Sequence, residues 1–189
     1  MSEKEKQDIF MELLKPFLKD FQSFARVISK SREDGRDLAQ DAILSAYHNF
    51  EKLKDINKFK PYIFTILRNL NKRHIWRKNF LGLFSLDFAE NVKSHSTSPE
   101  TSYDIEVLNQ CLNKLPTKQK EAIALFDISG FSLEEIKEIQ GGTLSGVKSR
   151  LKRGRENLKK MMTKEKYQTE DIENKLYNLE LAEDLIGNK

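Results

Sequence analysis

Two stretches of the chain carry cations with no carboxylate among them. Between Asp55 and Asp87 stand Lys58, Lys60, Arg68, Lys72, Arg73, Arg77 and Lys78, and between Glu138 and Glu156 stand Lys148, Arg150, Lys152, Arg153 and Arg155. With 29 Asp and Glu against 33 Lys and Arg in 189 residues, the net charge of +4 says little, and the clustering says more. A surface cleared of acids suits a polyanion. In the first window Tyr62, Phe64 and Trp76 lie among the cations, and aromatic faces beside Lys and Arg are what unpaired bases stack on, at roughly 1–3 kcal/mol each. The competing reading is that these rings are ordinary core. Metal and nucleophile chemistry find no support: His48, His74 and His95 lack ligand spacing, and the windows lack carboxylates for a metal. Cys111 is the single cysteine and falls on an apolar helical stripe, where a buried, inert thiol is expected. No enzyme, no metal and no cofactor is therefore expected.

The elements that position these residues read as helices throughout. Few glycines and prolines and no sustained alternation of polar and apolar residues predict an all-α chain of two small helical domains joined by a flexible linker. The first domain, 1–79, begins with apolar residues spaced by three and four from Ile9 to Ile28, with Pro16 as a kink or break. Ser29 to Gly35 reads as a turn, and a helix follows from Arg36 to about Phe50. It sends Leu38, Ala42, Ile43, Ala46 and Tyr47 inward and Asp37, Gln40, Asp41, Ser45 and Asn49 outward, an acidic and amide-bearing face suited to a basic protein partner. After a polar connection, Phe59 opens the cationic helix with Pro61 in its first turn. Residues 80–102 read as the linker, although Leu81, Leu83, Phe84, Leu86 and Phe88 are many for an idle spacer. The charged start MSEKEKQDIF has no signal-peptide core and no run reaches membrane-spanning length, so a cytoplasmic protein without membrane insertion is expected.

The second domain, 103–162, carries the sharper local signals. Pro116 stops one helix, and Thr117 to Ile128 gives the next. Ser132-Leu-Glu-Glu135 is a capping box opening a short helix that ends before Gly141-Gly142. Thr143 can cap a last helix whose inner side is Leu144, Val147, Leu151 and Leu158. Two helices about a glycine turn, the second cationic, make a helix-turn-helix. With Val147 and Leu151 inside, Ser145, Lys148, Ser149 and Lys152 face out toward a major groove, and Arg150, Arg153 and Arg155 are placed for phosphates. A C-terminal extension, 163–189, is acidic and amphipathic, either a frayed tail or a segment that folds back to restrain DNA binding.

Four segments then resemble a family: DLAQDAILSAY from Asp37, FKPYIFTILRNL from Phe59, LPTKQKEAIAL from Leu115, and FSLEEIKEI with GVKSRLKRGRENL ending at Leu158. Their order and separation are similar to those of bacterial RNA polymerase sigma factors of the extracytoplasmic-function type, with regions 2 and 4 only. The resemblance implies a factor that binds core RNA polymerase, recognises minus 35 and minus 10 promoter elements and promotes strand opening. It places Asp37, Gln40, Asp41 and Asn49 against core polymerase, whose clamp coiled coil and flap are the implied partners. It places Lys54, Asn57, Lys58, Lys60, Tyr62, Arg68, Asn69, Lys72, Arg73, Trp76 and Arg77 on the minus 10 element, the connection before Phe59 capturing a flipped base. Ser132, Ser145, Lys148, Ser149, Arg150, Lys152 and Arg153 fall to the minus 35 element. The family also suggests an anti-sigma partner covering both faces, although several members manage without one. Tyr62 stands where the family usually has Trp, and Gly146 where it usually has Thr. The alternative is a conventional helix-turn-helix regulator with an N-terminal dimerisation domain, which would read a two-fold symmetric site.

Overall fold

Serine caps, at Ser2, Ser31 and Ser132, set where three of the helices begin. The computed structural model describes residues 2–81 and 99–164, and every regular element among them is helical. Helix α1, Glu3–Leu14, opens on a capping box: Glu5 N–H donates to Ser2 Oγ at 3.3 Å, and Ser2 N–H to Glu5 Oε2 at 2.7 Å. Pro16 lies in a tight 3-10 turn, Lys15–Phe17, that separates α1 from α2, Leu18–Ile28. Helix α3 spans Arg32–His48. It starts earlier than the expected Arg36 because Ser31 Oγ accepts from Asp34 N–H at 3.0 Å, so most of the segment expected to turn is helical. Gly35 is accordingly not a turn residue. It is buried inside α3, where a Cβ would stand 2.9 Å from Arg26 Cα, and its missing side chain lets α2 and α3 approach. Two 3-10 turns, Phe50–Lys52 and Ile56–Lys58, lead into α4, Phe59–Leu81.

Phenylalanines build the core of this half. Phe10 meets Tyr47, Phe50 and Phe59 edge to face at 5.2–5.4 Å, and Phe64 takes Phe21 and Phe24 at 5.2 Å. Each such pair adds about 0.5–1.5 kcal/mol to the burial itself. Phe59 and Phe64 are therefore core residues, while Trp76 is 66 % exposed.

The second half comprises α5, Pro99–Lys114, α6, Thr117–Ile123, a π turn, Ala124–Ile128, then α7, Leu133–Gln140, and α8, residues 144–164. Cys111 is buried, as its stripe implied. The Ser132–Glu135 capping box forms, and Gly141 and Gly142 take φ of +74° and +99°, a left-handed turn that side-chain-bearing residues resist.

The two helical units meet. Ala124, Leu125, Phe131, Ile136, Ile139 and Val147 belong to the same continuous cluster of buried residues as Phe10, Phe24, Phe64 and Leu67. α2 packs on α5, α6 and the π turn, and α4 packs on α7. A picture of two domains at the ends of a tether does not anticipate this shared core. α4 runs through Leu81 and α5 starts at Pro99, so both ends of the expected linker 80–102 are helical. The segment 82–98 and the residues after 164 lie outside the described part, and with them Leu83, Phe84, Leu86 and Phe88 and nearly all of the acidic extension.

Candidate nucleic-acid interface

Helical periodicity divides the cations of α4 between two directions. A step of four carries Lys60, Phe64 and Arg68 to the side that meets the second half. Arg68 is 4 % exposed; its Nε donates to Glu121 Oε2 at 2.7 Å and its Nη1 to the Ile139 carbonyl at 3.1 Å, closing the C-terminal end of α7. Lys60 Nζ donates to the Ser129 carbonyl at 2.9 Å and sits over the Phe131 ring, 4.5 Å from its centroid. Phe131 rests on Phe64 with centroids 4.7 Å apart. Lys58, just before the helix, reaches Glu138 at 3.3 Å. Lys72, one further step along, has its pKa lowered, first by partial burial and then by the charge of Arg68.

The other direction stays open. Asn69, Arg73, Trp76 and Arg77 are exposed, and Tyr62 is half-buried, its hydroxyl within 3.5 Å of the Asn49 carbonyl and its pKa raised by burial. Lys54 and Asn57 are exposed in the connection, where Asp55 Oδ1 accepts from Asn57 N–H at 3.0 Å and fixes the turn. The residues expected to handle a single strand are thus split: Asn69, Arg73, Trp76 and Arg77 are presented, and Lys60 and Arg68 are engaged by protein.

On α8 the inner side forms as expected and the outer side only in part. Thr143 Oγ1 accepts from Gly146 N–H at 3.1 Å, Val147 and Leu151 are buried, and Ser145, Lys148, Lys152 and Arg153 are exposed. Ser149 is half-buried. Arg150 points back into the motif, donating to Gln140 Oε1 and, at 3.0 Å, to the Gly141 carbonyl, so it braces the glycine turn. Arg155 pairs with Asp127 and lies 5.1 Å from the Phe126 centroid; that hydrogen bond raises its pKa. Ser132 spends its hydroxyl on the capping box.

Gln140 also donates to Glu121 Oε2 at 3.2 Å, so a polar chain Arg68–Glu121–Gln140–Arg150 runs from α4 to α8. Glu121 and Gln140 were not among the residues singled out from the sequence. Nothing in KEAIAL marks Glu121 as fully buried, because its partner Arg68 lies 53 residues away.

The outer face of α3 carries Asp37, Gln40 and Asp41, all exposed, with Leu44 57 % exposed among them. Asn49 at its end is tied down, donating to the Ser45 carbonyl at 2.9 Å and accepting from Lys52 Nζ at 2.9 Å. Leu44 adds an apolar centre to a face whose acids alone were visible in the sequence, a composition typical of protein docking. Among the described residues no group of three His, Cys, Asp or Glu could hold a metal, and no helix is long and apolar enough to cross a membrane.

Both halves match family models, sigma-70 region 2 over residues 12–80 and sigma-70 region 4 over residues 105–158. The chain is 32 % identical over 142 residues to the ECF RNA polymerase sigma factor EcfG of Rhodopseudomonas palustris strain TIE-1, covering 74 % of this chain and 77 % of that protein. This chain belongs to the ECF RNA polymerase sigma factors. It is also 30 % identical to the ECF sigma factor SigW of Bacillus subtilis strain 168, over 82 % of this chain and 90 % of that one. Among solved structures it resembles the sigma factor RpoE in complex with the anti-sigma factor NepR from Bartonella quintana, with a TM-score of 0.72, 30 % identity, and coverage of 82 % of this chain and 96 % of that one. In sigma-factor terms, α4 closes region 2, and α7 and α8 form the helix-turn-helix of region 4. These relatives are all RNA polymerase sigma factors or sigma factors by name.

Proposed function

We propose that this sigma factor binds core RNA polymerase through the outer face of α3, reads a minus 35 element with α8, and holds the parted strand of a minus 10 element on α4. The observation that carries this reading is the pair of cationic helices presented by one chain, with different chemistry on each. α8 exposes Ser145, Lys148 and Lys152, short donors suited to base edges in a major groove, with Arg153 beside them for phosphate. α4 exposes Asn69, Arg73, Trp76 and Arg77, an amide, two guanidiniums and an indole, suited to unstacked bases and a single backbone. Lys54 and Asn57 in the connection before α4 complete a place for a flipped base, stacking and phosphate contacts offsetting a few kcal/mol of unpairing.

Asp37, Gln40 and Asp41 around Leu44 give core polymerase a surface of acidic rim and apolar centre; Asn49 stands at its edge. The polymerase supplies the chemistry and this chain the promoter choice. The structural relative RpoE was solved with an anti-sigma factor, and a partner of that kind covering α3 and α8 is part of the proposal.

The experiment is to mix the purified chain with core RNA polymerase and follow co-elution, then strand opening on a promoter library by permanganate reactivity of unpaired thymines. Stable association and opening at an asymmetric two-part site are expected. No association with core defeats the reading, and a dimer on a symmetric site would favour a conventional regulator.

A further inference from the structure

The turn from α7 to α8 begins with two glycines of positive φ, which supply no stiffness of their own. Its backbone hydrogen bonds stay within each helix: Gly141 N–H donates to the Lys137 carbonyl at 2.8 Å, and Val147 N–H to the Thr143 carbonyl at 3.0 Å. The polar link across the turn is a side chain. Arg150 donates to the Gly141 carbonyl at 3.0 Å and to Gln140 Oε1. Gln140 is itself held, its Nε2 donating to the Lys118 carbonyl at 3.1 Å and to Glu121 Oε2 at 3.2 Å. One buried amide thus ties α6, α7 and α8 together. The glycines also clear the space that the guanidinium fills. A Cβ at Gly142 would stand 2.8 Å from Arg150 Nη2, and one at Gly146, a helical turn before Arg150, would stand 3.6 Å from the same atom. Arg150 is accordingly half-buried, while Lys148, Lys152 and Arg153 around it are exposed.

We propose that Arg150 is a positioning residue for minus 35 recognition: it fixes the pose of α8 against α6 and α7, and its charge is not spent on DNA. This rests on the reading of α8 as the helix that enters a major groove. Ser145, Lys148 and Lys152 meet base edges together only when that helix enters at one angle and depth. The apolar contacts of Val147 and Leu151 are non-directional, whereas a planar guanidinium on two oxygens sets direction. Loss of the brace therefore has its own signature. A lost base contact relaxes one base pair and a lost phosphate contact weakens every duplex alike. A lost brace relaxes several base pairs at once and spares binding that does not depend on sequence.

The test uses the full chain bound to core RNA polymerase. Affinity is measured for short duplexes carrying the minus 35 element of a promoter selected from the library, for its single-base-pair variants, and for duplexes without the element, each over a range of salt. Arg150→Lys keeps the charge and loses the planar fork. It and Arg150→Ala are each expected to weaken the selected duplex about tenfold, to relax preference at several base pairs together, and to leave element-free duplexes and the salt slope unchanged. Gly142→Ala, which alters no charge and pushes the guanidinium aside, should show the same pattern. Adding Arg150→Ala to it should bring little further loss. Near-parental behaviour of Arg150→Lys overturns the proposal. So does a uniform loss in Arg150→Ala with a salt slope smaller by about 0.9, which would make Arg150 a phosphate contact. Relaxation at a single base pair, or a lower urea midpoint with preference intact, overturns it as well. If Arg150→Ala does not fold, Arg150→Lys and Gly142→Ala carry the comparison. A parent chain without preference among the duplexes removes the minus 35 reading and this proposal with it, whereas a selective parent with unaltered variants removes the proposal alone.

Discussion

On α8 the lysines that face outward stay exposed while Arg150 and Arg155 turn back to brace the motif. On α4 the division falls along one helix: Asn69, Arg73, Trp76 and Arg77 face outward, and Lys60 and Arg68 face Ser129, Glu121 and Phe131. Both helices come from acid-free windows. The windows alone do not distinguish them; the difference lies in which acids from elsewhere in the chain arrive in space. Clearance of carboxylates along the sequence marks where cations are concentrated, and long-range packing then decides which are presented and which are neutralised. The distribution of cations between presented and engaged positions therefore says more about each helix than the total charge does.

The largest effect that would break this comparison is on the buried pair. Arg68→Ala leaves Glu121 buried without its cation and should cost about 3–5 kcal/mol of unfolding free energy in urea titration. Arg153→Ala on the exposed side of α8 should stay within about 0.5 kcal/mol. Replacing both partners, Arg68→Met with Glu121→Leu, should recover most of the loss, because the desolvation cost leaves with the pair. Similar small costs for both single arginine changes would mean that Arg68 is solvated and the two helices are alike.

Next in size is the division of labour within α8. Lys148→Ala should relax preference at one base pair of the minus 35 element by about 1–3 kcal/mol, measured with a set of single-base-pair variants of the duplex. Arg153→Ala should weaken every duplex by a similar factor and flatten the salt dependence. The turn before α8 gives a third, stability-based comparison. Gly142→Ala places a Cβ 2.8 Å from Arg150 Nη2 at a φ of +99°, and should cost about 1–3 kcal/mol in the same urea titration. Ser145→Ala, exposed two residues into α8, should cost far less.

How much of this was legible in the sequence follows from the range of the interactions. Local rules reached the Ser132–Glu135 box, Thr143 as a cap, Val147 and Leu151 as the inner side of α8, and the outward Asp37, Gln40 and Asp41, because each depends on neighbours within about one helical turn. The start of α3 was misplaced where two local signals competed: SKSREDG has the composition of a turn, but the Ser31 cap and the close α2–α3 contact at Gly35 prevailed. The engagement of Arg68, Lys60 and Lys58 was not legible at all. Their partners Glu121, Ser129 and Glu138 lie 53 to 80 residues away, and periodicity carries no information about such pairings. Phe131 was invisible for the same reason: it follows a glycine turn, outside any stripe, yet it joins the core of the first half.

The smallest expected effect sharpens the contrast between the halves by its sign. In region 2 the exposed Tyr47 hydroxyl donates to Glu3 at 2.6 Å, and that bond, with lesser help from burial and nearby acids, raises its pKa to about 12. A pKa above the unfolded value means the contribution is complete below about pH 10 and is lost as pH rises toward 12. In region 4, burial lowers the pKa of Lys120, whose ammonium donates to Asn113 at 3.1 Å. The cost of burying that charge is present at neutral pH and is relieved as pH climbs through the folded pKa toward the unfolded value of 10.5. Tyr47→Phe should therefore flatten the alkaline loss of stability relative to the parent, and Lys120→Met should steepen it by removing a compensating gain. Urea midpoints of the three proteins compared at about pH 8 and about pH 11 read this directly, since all other titrations are common to them. Parallel midpoints for both variants would mean that neither the Glu3 bond nor the burial of Lys120 persists in solution.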